Sequence, residues 1–279
     1  MIVLGGSSRQ SLAALRVALD NTLKGVSADD ASAISSGLFK ALVAIDSSTG
    51  LRRALTDSSR DASSKSDLVS DLFKKSLTGP VLALLATATS LRWSSPSGIA
   101  DAIEQIAVEA EAASANLGNS LDQVQSEIFT FSKLLIENPD LRTALSDRAQ
   151  SPAAKQELLN TIFGKKFSAS TSNLLARSVE ARRARSIEKT IDAYSHAVTA
   201  RRNRVNAHIK SSIALSDVQA KKLADSLTKQ IGQPVHLNIE IDPSILGGIS
   251  IRFGDEVIDG TISNRLAEAS RALVSECNK

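Results

Sequence analysis

The stretch IDPSILGGISIRFGDEVIDGTI, residues 241–262, is the densest pattern of glycines and carboxylates in the chain. Carboxylates can bind metals or move protons, and a glycine-rich loop can hold a phosphate ahead of a helix N-terminus. Gly247 and Gly248 lie between two predicted strands, whereas the glycines of a phosphate-binding loop precede a helix. We predict that these glycines serve backbone positions with positive φ or close strand approach.

Other residues that could carry chemistry are dispersed. His196, His208 and His236 show neither an HExxH motif nor paired spacing, and no GxxxxGK[ST] loop is present. A Ser-His-Asp triad assembles in space and leaves no fixed spacing, but the GxSxG nucleophile elbow is absent. We predict no catalytic residue, no metal, no cofactor and no nucleotide site, and therefore a protein that is not an enzyme.

Composition indicates a soluble, globular chain of more than one domain. Its 279 residues are 42% apolar and 23% charged, a size near which one core splits into several. The longest apolar run, residues 81–86, is far below the roughly 20 residues of a membrane span, so recruitment to a membrane would require a partner. The one cysteine, Cys277, excludes an internal disulfide and favours a reducing compartment.

Positive charge is concentrated between Arg177 and Arg204, where eight Arg or Lys and three acids give a net charge of +5. The whole chain has a net charge of +3, so the rest of the chain carries −2. Such a segment can bind nucleic acid or an acidic protein, or be a solvated helix. Only seven Phe, one Tyr and one Trp are available for base stacking. A protein-facing or solvated helix is favoured, and an RNA-binding adaptor is the alternative.

The first 200 residues have the composition and the three- and four-residue apolar spacing of helices, and they repeat at an offset of 90 residues. Pro80, Pro96, Pro139 and Pro152 fall where helices should begin or end. Nine residues recur in one ungapped block, in which Leu51, Arg52, Ala54, Leu55, Asp57, Lys65, Leu68, Phe73 and Lys75 become Leu141, Arg142, Ala144, Leu145, Asp147, Lys155, Leu158, Phe163 and Lys165. The same offset pairs Phe39 with Phe129. A duplicated antiparallel helical bundle is predicted.

Two features of these copies leave alternatives open. Lys65 and Lys155 could pack and cap a helix or contact a partner. The helix after the recurring Phe, within PVLALLATATSLRW and STSNLLARSVEARR, could complete its bundle or leave a groove for a visiting amphipathic helix.

After Arg204 the apolar period changes to two, which is typical of strands. Strands are predicted at residues 205–215, 235–241 and 249–253, with a helix from Ser216 to Gly232 and a closing helix in GTISNRLAEASRAL. The fold class is therefore mainly α, with two repeated bundle units followed by a small α/β domain. The predicted domains are residues 1–106, 107–202 and 203–279.

The C-terminal pattern closely resembles the signature of the delta subunit of F-type ATP synthase, the family of the mitochondrial oligomycin sensitivity-conferring protein. The residues that carry the resemblance are Asp242, Gly247, Gly248, Gly254, Asp255, Val257, Ile258, Asp259, Gly260, Thr261, Arg265 and Leu266. Upstream, SPAAKQELL and NLLARSVEARR are similar to the family's helical domain. The first hundred residues are additional, as in longer delta subunits of some high-GC Gram-positive bacteria.

The resemblance implies a non-catalytic peripheral-stalk protein, present once per complex at the cytoplasmic face of the cell membrane. It would join the catalytic head, through an alpha-subunit N-terminal helix, to the C-terminal helices of the membrane-anchored b subunits, and it would meet the membrane only through b. Both contacts are forms of helix recognition and require no reactive group.

Residue by residue, the resemblance places the alpha-binding groove at Leu174, Leu175 and Val179, or at their repeat equivalents Leu84, Leu85 and Thr89. The first set is slightly favoured, because it adjoins the C-terminal domain as in shorter relatives. The b contact would involve Lys221, Lys222, Arg265 and Arg271, each of which could equally be a solvated charge. In the opening motif, Asp259 or Thr261 is the predicted N-cap of the last helix, and Gly254-Asp255 is a predicted turn.

Overall fold

A computed structural model describes residues 6–147, 149–164, 166–180, 183, 185–231, 235–243, 245, 247–253, 256–262 and 264. They divide into two compact units, Met1–Thr199 and Ala200–Lys279. The fold is mainly α with a small C-terminal α/β part, as predicted. No described helix is both long and apolar enough to cross a membrane.

The helices of the first unit repeat at an offset of 90 residues. The first series is α1 (Gly6–Thr22), α2 (Ala28–Ser47), α3 (Thr49–Thr56), α4 (Ala62–Phe73), α5 (Gly79–Ser90) and α6 (Gly98–Leu117). The second continues with α7 (Leu121–Glu137), α8 (Pro139–Ser146), α9 (Pro152–Phe163), α10 (Ala169–Glu180) and α11 (Ile187–Val205). Adding 90 to the bounds of α3, α4 and α5 gives those of α8, α9 and α10.

Helix α6 has two places in this scheme, because it is the last helix of the first copy and the first helix of the second. It packs against α1, α2, α3 and α5 of the first copy and against α7 and α10 of the second. A helix enclosed on all sides is expected to be apolar or small all round, and α6 is buried at nearly every position from Gly98 to Ala115. The predicted domain boundary at residue 106 therefore falls inside a shared helix and not in a linker.

Local signals place the helix ends. Ser27 caps α2 in a capping box with Asp30, and Ser151 accepts a hydrogen bond from the Ala154 amide to cap α9. Prolines occupy the first turns of α5, α8 and α9. Buried Lys155 donates from Nζ to the Asp147 carbonyl at the end of α8, which supports the capping interpretation of this lysine.

The second unit contains α12 (Asp217–Ile231) and, among the described residues, a sheet of four strands in the order β2-β1-β3-β4. The strands are β1 (Asn206–Ser211), β2 (His236–Ile241), β3 (Ile249–Phe253) and β4 (Glu256–Asp259). β1 pairs parallel with β2 and antiparallel with β3, and β3 pairs antiparallel with β4. Ser216 and Gln219 form the capping box that starts α12.

One face of the sheet packs on α12 through a small core of Ala207, Ile209, Leu227, Val235 and Ile251. The first strand is shorter than predicted. Strand β4 was not predicted, because the pattern of EVID was interpreted as a turn and a helix start. Most of the closing helix, the turn at Gly254-Asp255 and the helix end at Gly232 lie outside the described residues.

Candidate partner-binding surfaces

The five predicted alpha-binding residues are interior residues of the bundles. Leu84 and Leu85 on α5 are 1% exposed, and Leu174, Leu175 and Val179 on α10 are 1–3% exposed. Thr89 is buried too. The apolar edges of α5 and α10 thus complete their own bundles, and a partner could reach these side chains only if the bundles opened.

The predicted b-binding lysines are exposed. Lys221 and Lys222 lie in the second turn of α12 with their side chains in solvent, whereas the sheet core packs on the other side of that helix. Arg265 and Arg271 lie outside the described residues. The structure therefore leaves Lys221 and Lys222 available for a contact.

The glycine and carboxylate segment is a tight backbone junction. Gly247 and Gly248 have φ of +151° and +86°, and a Cβ on Gly248 would lie 2.4 Å from the Gly260 carbonyl oxygen. The amides of Gly260 and Ile262 donate to the carbonyls of Ile249 and Gly247, both at 3.0 Å. Glycine is needed here because two backbone segments meet.

The described carboxylates of this segment, Asp242 and Asp259, have neighbouring protein partners. Asp259 accepts a 2.9 Å hydrogen bond from the Thr261 amide, and hydrogen bonds from the amide and hydroxyl of Thr261 lower the pKa of this carboxyl. Thr261 Oγ1 accepts from the Asn264 amide at 3.3 Å, the geometry of an N-cap. The Asp242 carboxylate accepts from Lys210 Nζ at 3.5 Å, and the Asp242 carbonyl accepts from the Ile245 amide. No group of three or more His, Cys, Asp or Glu within the described ranges could hold a metal ion.

An ion cluster joins the two copies. Arg183 donates from Nη1 to Asp101 at 2.5 Å and to Glu104 at 3.3 Å, and from Nε to Asp46 at 3.3 Å. Arg185 Nη2 also donates to Glu104. Thus the loop between α10 and α11 is tied to α2 and α6, and Arg183 holds this position with a left-handed φ of +49°.

Burial controls the electrostatics of this cluster. Glu104 is 1% exposed, and burial raises its pKa more than the nearby charges of Arg185 and Arg183 lower it. For Arg183, burial opposes the charged form, but the carboxylates of Asp101, Glu104 and Asp46 raise its pKa overall. The ionised form of Glu104 is therefore destabilised by burial and stabilised by its two arginines.

Three arginines of the basic segment between Arg177 and Arg204 are paired with acids of this chain. Besides Arg183 and Arg185, Arg177 donates to Glu180 at 2.6 Å and its guanidinium lies 6.0 Å from the centre of the Phe39 ring. These contacts weaken the RNA-binding alternative, because the paired arginines have less charge to offer phosphates. The sequence showed the charge cluster but not the acids of α2 and α6 that pair with Arg183 and Arg185.

The two copies differ where α2 packs on α5 in the first copy and α7 packs on α10 in the second. In the first copy, Gly37 lets α5 approach so closely that a Cβ would lie 2.8 Å from Val81 Cγ2. At the equivalent position Glu127 accepts hydrogen bonds from the Ser168 amide at 3.0 Å and the Ser168 hydroxyl at 2.7 Å. Glu127 therefore caps the start of α10 from α7, a contact across 41 residues that no local sequence signal shows.

This cap predicts a pH-dependent effect of Glu127→Gln. Burial raises the pKa of Glu127, but hydrogen bonds from Thr171, Ser168 and Gln123 lower it below its ordinary value of 4.5 overall. Because the pKa of Glu127 is lower in the folded state than in the unfolded state, ionised Glu127 stabilises the fold at pH values above its unfolded pKa. This stabilisation is lost as the pH falls through the folded pKa. Glu127→Gln should cost about 1–2 kcal/mol of unfolding free energy at neutral pH, and less at about pH 3.

Urea unfolding followed by the fluorescence of Trp93, the one tryptophan, would measure both values. Glu137→Gln, an exposed position on the same helix, is the matched control and should change little. An equal loss for Glu127→Gln at both pH values would contradict the capping role.

Apolar positions that repeat in sequence do not share the same surroundings. Phe39 is 1% exposed and packs with Tyr194 of α11, the two ring centres being 6.1 Å apart, whereas Phe129 is 62% exposed. The ring of Phe129 contacts the Lys133 ammonium at 5.9 Å. Phe39 is covered by Tyr194 of α11 and by the Arg177 guanidinium of α10.

The chain has two helical bundles that share α6 and a small mixed sheet that follows them in the sequence. It therefore belongs to the class of mainly helical proteins with a repeated bundle. The family model for the ATP synthase delta (OSCP) subunit matches residues 108–273. ATP synthase subunit delta of Streptomyces coelicolor is 37% identical over 270 residues, covering 97% of this chain and 98% of that protein. The corresponding protein of Kineococcus radiotolerans is 35% identical over 268 residues, covering 96% and 97%.

The chain belongs to the ATP synthase delta (OSCP) subunit family, which confirms the resemblance found in the sequence. The relatives with full-length coverage include the region that precedes the family model. A chain of the mitochondrial ATP synthase hexamer of Toxoplasma gondii overlaps 60% of this chain and 97% of its own length, with 19% identity and a TM-score of 0.29.

Proposed function

We propose that the protein is a non-catalytic peripheral-stalk subunit of F-type ATP synthase that holds the catalytic head to the membrane-anchored b subunits. The observation that carries the proposal is full-length similarity to bacterial delta subunits, in a fold of packed helices. Its partners would be an N-terminal helix of an alpha subunit and the C-terminal helices of the b subunits. It would act as a single copy at the cytoplasmic face of the membrane, which it reaches through b.

A subunit that resists the torque of the rotor needs rigid contacts with its partners and no catalytic activity of its own. The bundles supply closely packed interiors, since the aliphatic edges of α5 and α10 are buried, and α12 offers exposed lysines at its surface. Helix recognition through apolar anchors with surrounding charge suits such surfaces. Substitution at Leu85 or Leu175 would test folding and not binding, because both side chains are interior.

Co-purification tests the proposal. The tagged full-length chain should retain alpha and b subunits from detergent-solubilised membranes of its source and should show no ATP hydrolysis of its own. Lys221→Glu with Lys222→Glu should weaken b retention, whereas the control pair Lys74→Glu with Lys75→Glu, exposed in the first copy, should not. Retention of neither alpha nor b by the wild-type chain would contradict the proposed function.

A further inference from the structure

A cleft of about 600 Å³ in the first copy is lined by the end of α3, the loop that follows it and the loop that joins α5 to α6. Its lining includes Arg53 on α3, Arg60 in the following loop, and Trp93 and Ser94 in the α5–α6 loop. Both arginines are exposed and Trp93 is half-buried. Sites for small molecules have volumes of about 300–1,000 Å³, so the cleft has the size of a ligand site.

Hydrogen bonds hold the α5–α6 loop in place at the cleft. Trp93 Nε1 donates to the Ala88 carbonyl at 2.7 Å, which fixes the indole ring. The Ser94 amide donates to Ser8 Oγ on α1 at 2.9 Å, and the two serine hydroxyls form a hydrogen bond of 2.7 Å. A ring that is already fixed loses little conformational entropy when a ligand stacks on it.

The charges that line the cleft favour an anion. Two arginines and one aspartate line it, for a net charge of +1. The Arg53 side chain forms no hydrogen bond or ion pair within the described part of the chain. Arg60 Nε lies 3.7 Å from Asp57 Oδ2, with both side chains exposed, so this pair is weak. Guanidinium groups match the oxygens of phosphates and carboxylates.

The second copy has different side chains at the equivalent positions. Thr143 and Gln150 occupy the positions of the two arginines, and Arg183 occupies the position of the tryptophan. Arg183 is bound to acids of α2 and α6, so this loop of the second copy joins the copies. The two arginines and the tryptophan of the first copy are therefore not required by packing that both copies share.

The extent of the cleft distinguishes between two kinds of anionic ligand. It is lined by two short segments, within residues 50–60 and 93–96. A visiting helix needs a groove several turns long, whereas a nucleotide fits a cleft of this volume. A nucleotide also supplies both a planar base, which stacks on aromatic rings, and phosphates, which bind arginines.

We propose that this cleft binds a nucleoside phosphate, with the base against the Trp93 indole and the phosphates on Arg53 and Arg60. Nucleotide binding here is additional to the stalk function and does not depend on it. The sequence predicted no nucleotide site because it lacks a glycine-rich phosphate loop, whose backbone amides bind the phosphates. In this cleft side chains bind the phosphates, and such a site has no fixed sequence motif.

Fluorescence of Trp93, the one tryptophan of the chain, tests the proposal directly. Titration of the full-length chain with ATP should quench it saturably, with excitation at the red edge of the indole band, where ATP does not absorb. Adenosine alone and inorganic phosphate alone should each bind at least about tenfold more weakly, because each makes part of the contacts.

The matched variant carries the residues of the second copy, Arg53→Thr with Arg60→Gln. It should bind ATP about tenfold or more weakly, because it loses hydrogen bonds to a charged ligand, and circular dichroism would verify its fold. Lys24→Gln with Lys40→Gln is the control. This pair removes the same charge at exposed positions that do not line the cleft, and it should bind ATP as the wild type does.

Three results would overturn the proposal. They are no saturable quenching of the wild-type chain by ATP, equal binding of ATP by the matched variant, and equal affinity for ATP and inorganic phosphate. Quenching by an oligoglutamate peptide but not by ATP would also overturn it, and would assign the cleft to an acidic protein segment. None of these results bears on the stalk function, which co-purification with alpha and b subunits measures separately.

Discussion

Replacing Arg183 by Met should lower the unfolding free energy of residues 6–199 by about 3–5 kcal/mol at neutral pH, because it leaves buried Glu104 with one cation fewer. Glu104 and Arg183 have side chains that are 2% and 8% exposed, so water can compensate little. Asp101 and Asp46, at 22% and 29%, lose the same partner but are more hydrated. Urea unfolding monitored by Trp93 fluorescence would measure the loss.

The loss should depend on pH. The pKa of Glu104 in the folded state is raised above its ordinary value of 4.5. Protonated Glu104 therefore favours folding at pH values below its unfolded pKa, and this contribution is lost as the pH rises through the folded pKa. Near about pH 4 Glu104 is protonated and needs no cation, so the deficit of Arg183→Met should shrink. Adding Glu104→Gln should recover part of the neutral-pH loss.

Arg60→Met is the control for this experiment, because Arg60 forms an exposed ion pair with Asp57 at 3.7 Å. It should cost no more than about 1 kcal/mol. A loss below about 1 kcal/mol for Arg183→Met, or one that Glu104→Gln does not reduce, would show that the cluster does not join the two copies energetically.

Gly248→Ala should destabilise the second unit by about 2–5 kcal/mol. A left-handed non-glycine residue costs about 1–2 kcal/mol, and the added Cβ must displace the Gly260 carbonyl oxygen, 2.4 Å away, which costs about 1–3 kcal/mol more. Amide hydrogen exchange in β3 and β4 should accelerate, whereas the Trp93 unfolding transition of the first unit should not move.

Gly79→Ala is the control, since nothing lies within 4 Å of its added Cβ and alanine suits a helix. Gly247→Ala should fall between the two, because its Cβ would meet the flexible end of Ile262 at 2.6 Å. Unchanged exchange in β3 and β4 for Gly248→Ala would mean that the junction tolerates a side chain.

The sequence predicted the fold well where the determinants are local or periodic. The predicted repeat offset of 90 residues is the one that relates α3, α4 and α5 to α8, α9 and α10, and Pro80, Pro139, Pro152 and Ser216 marked helix starts that the structure has. Strand β4 was missed because EVID has only four residues, too few to show alternation, and was interpreted as a turn and a helix start. It pairs with the adjacent strand β3, where Ile251 lies opposite Ile258. The shared role of α6 was missed because a self-alignment matches copies but does not show which helices both copies use.

The candidate site was less predictable because helical periodicity identifies an apolar face but not what covers it. Leu84 and Leu175 were predicted to contact a partner, and both side chains are buried in their bundles. Arg183 and Glu127 were not singled out, since their partners lie 79–137 and 41 residues away in the chain. Burial in both cases is decided by how the helices assemble.

The sharing of α6 has a mechanical consequence. Two bundles joined by a loop can pivot about it, but α6 runs unbroken through both cores over 20 residues, about 30 Å at 1.5 Å per residue. Bending one copy against the other would require bending or unpacking that helix. Residues 6–199 should therefore behave as one stiff lever whose two ends move together, so that a force applied at one copy reaches the other without being absorbed at a hinge.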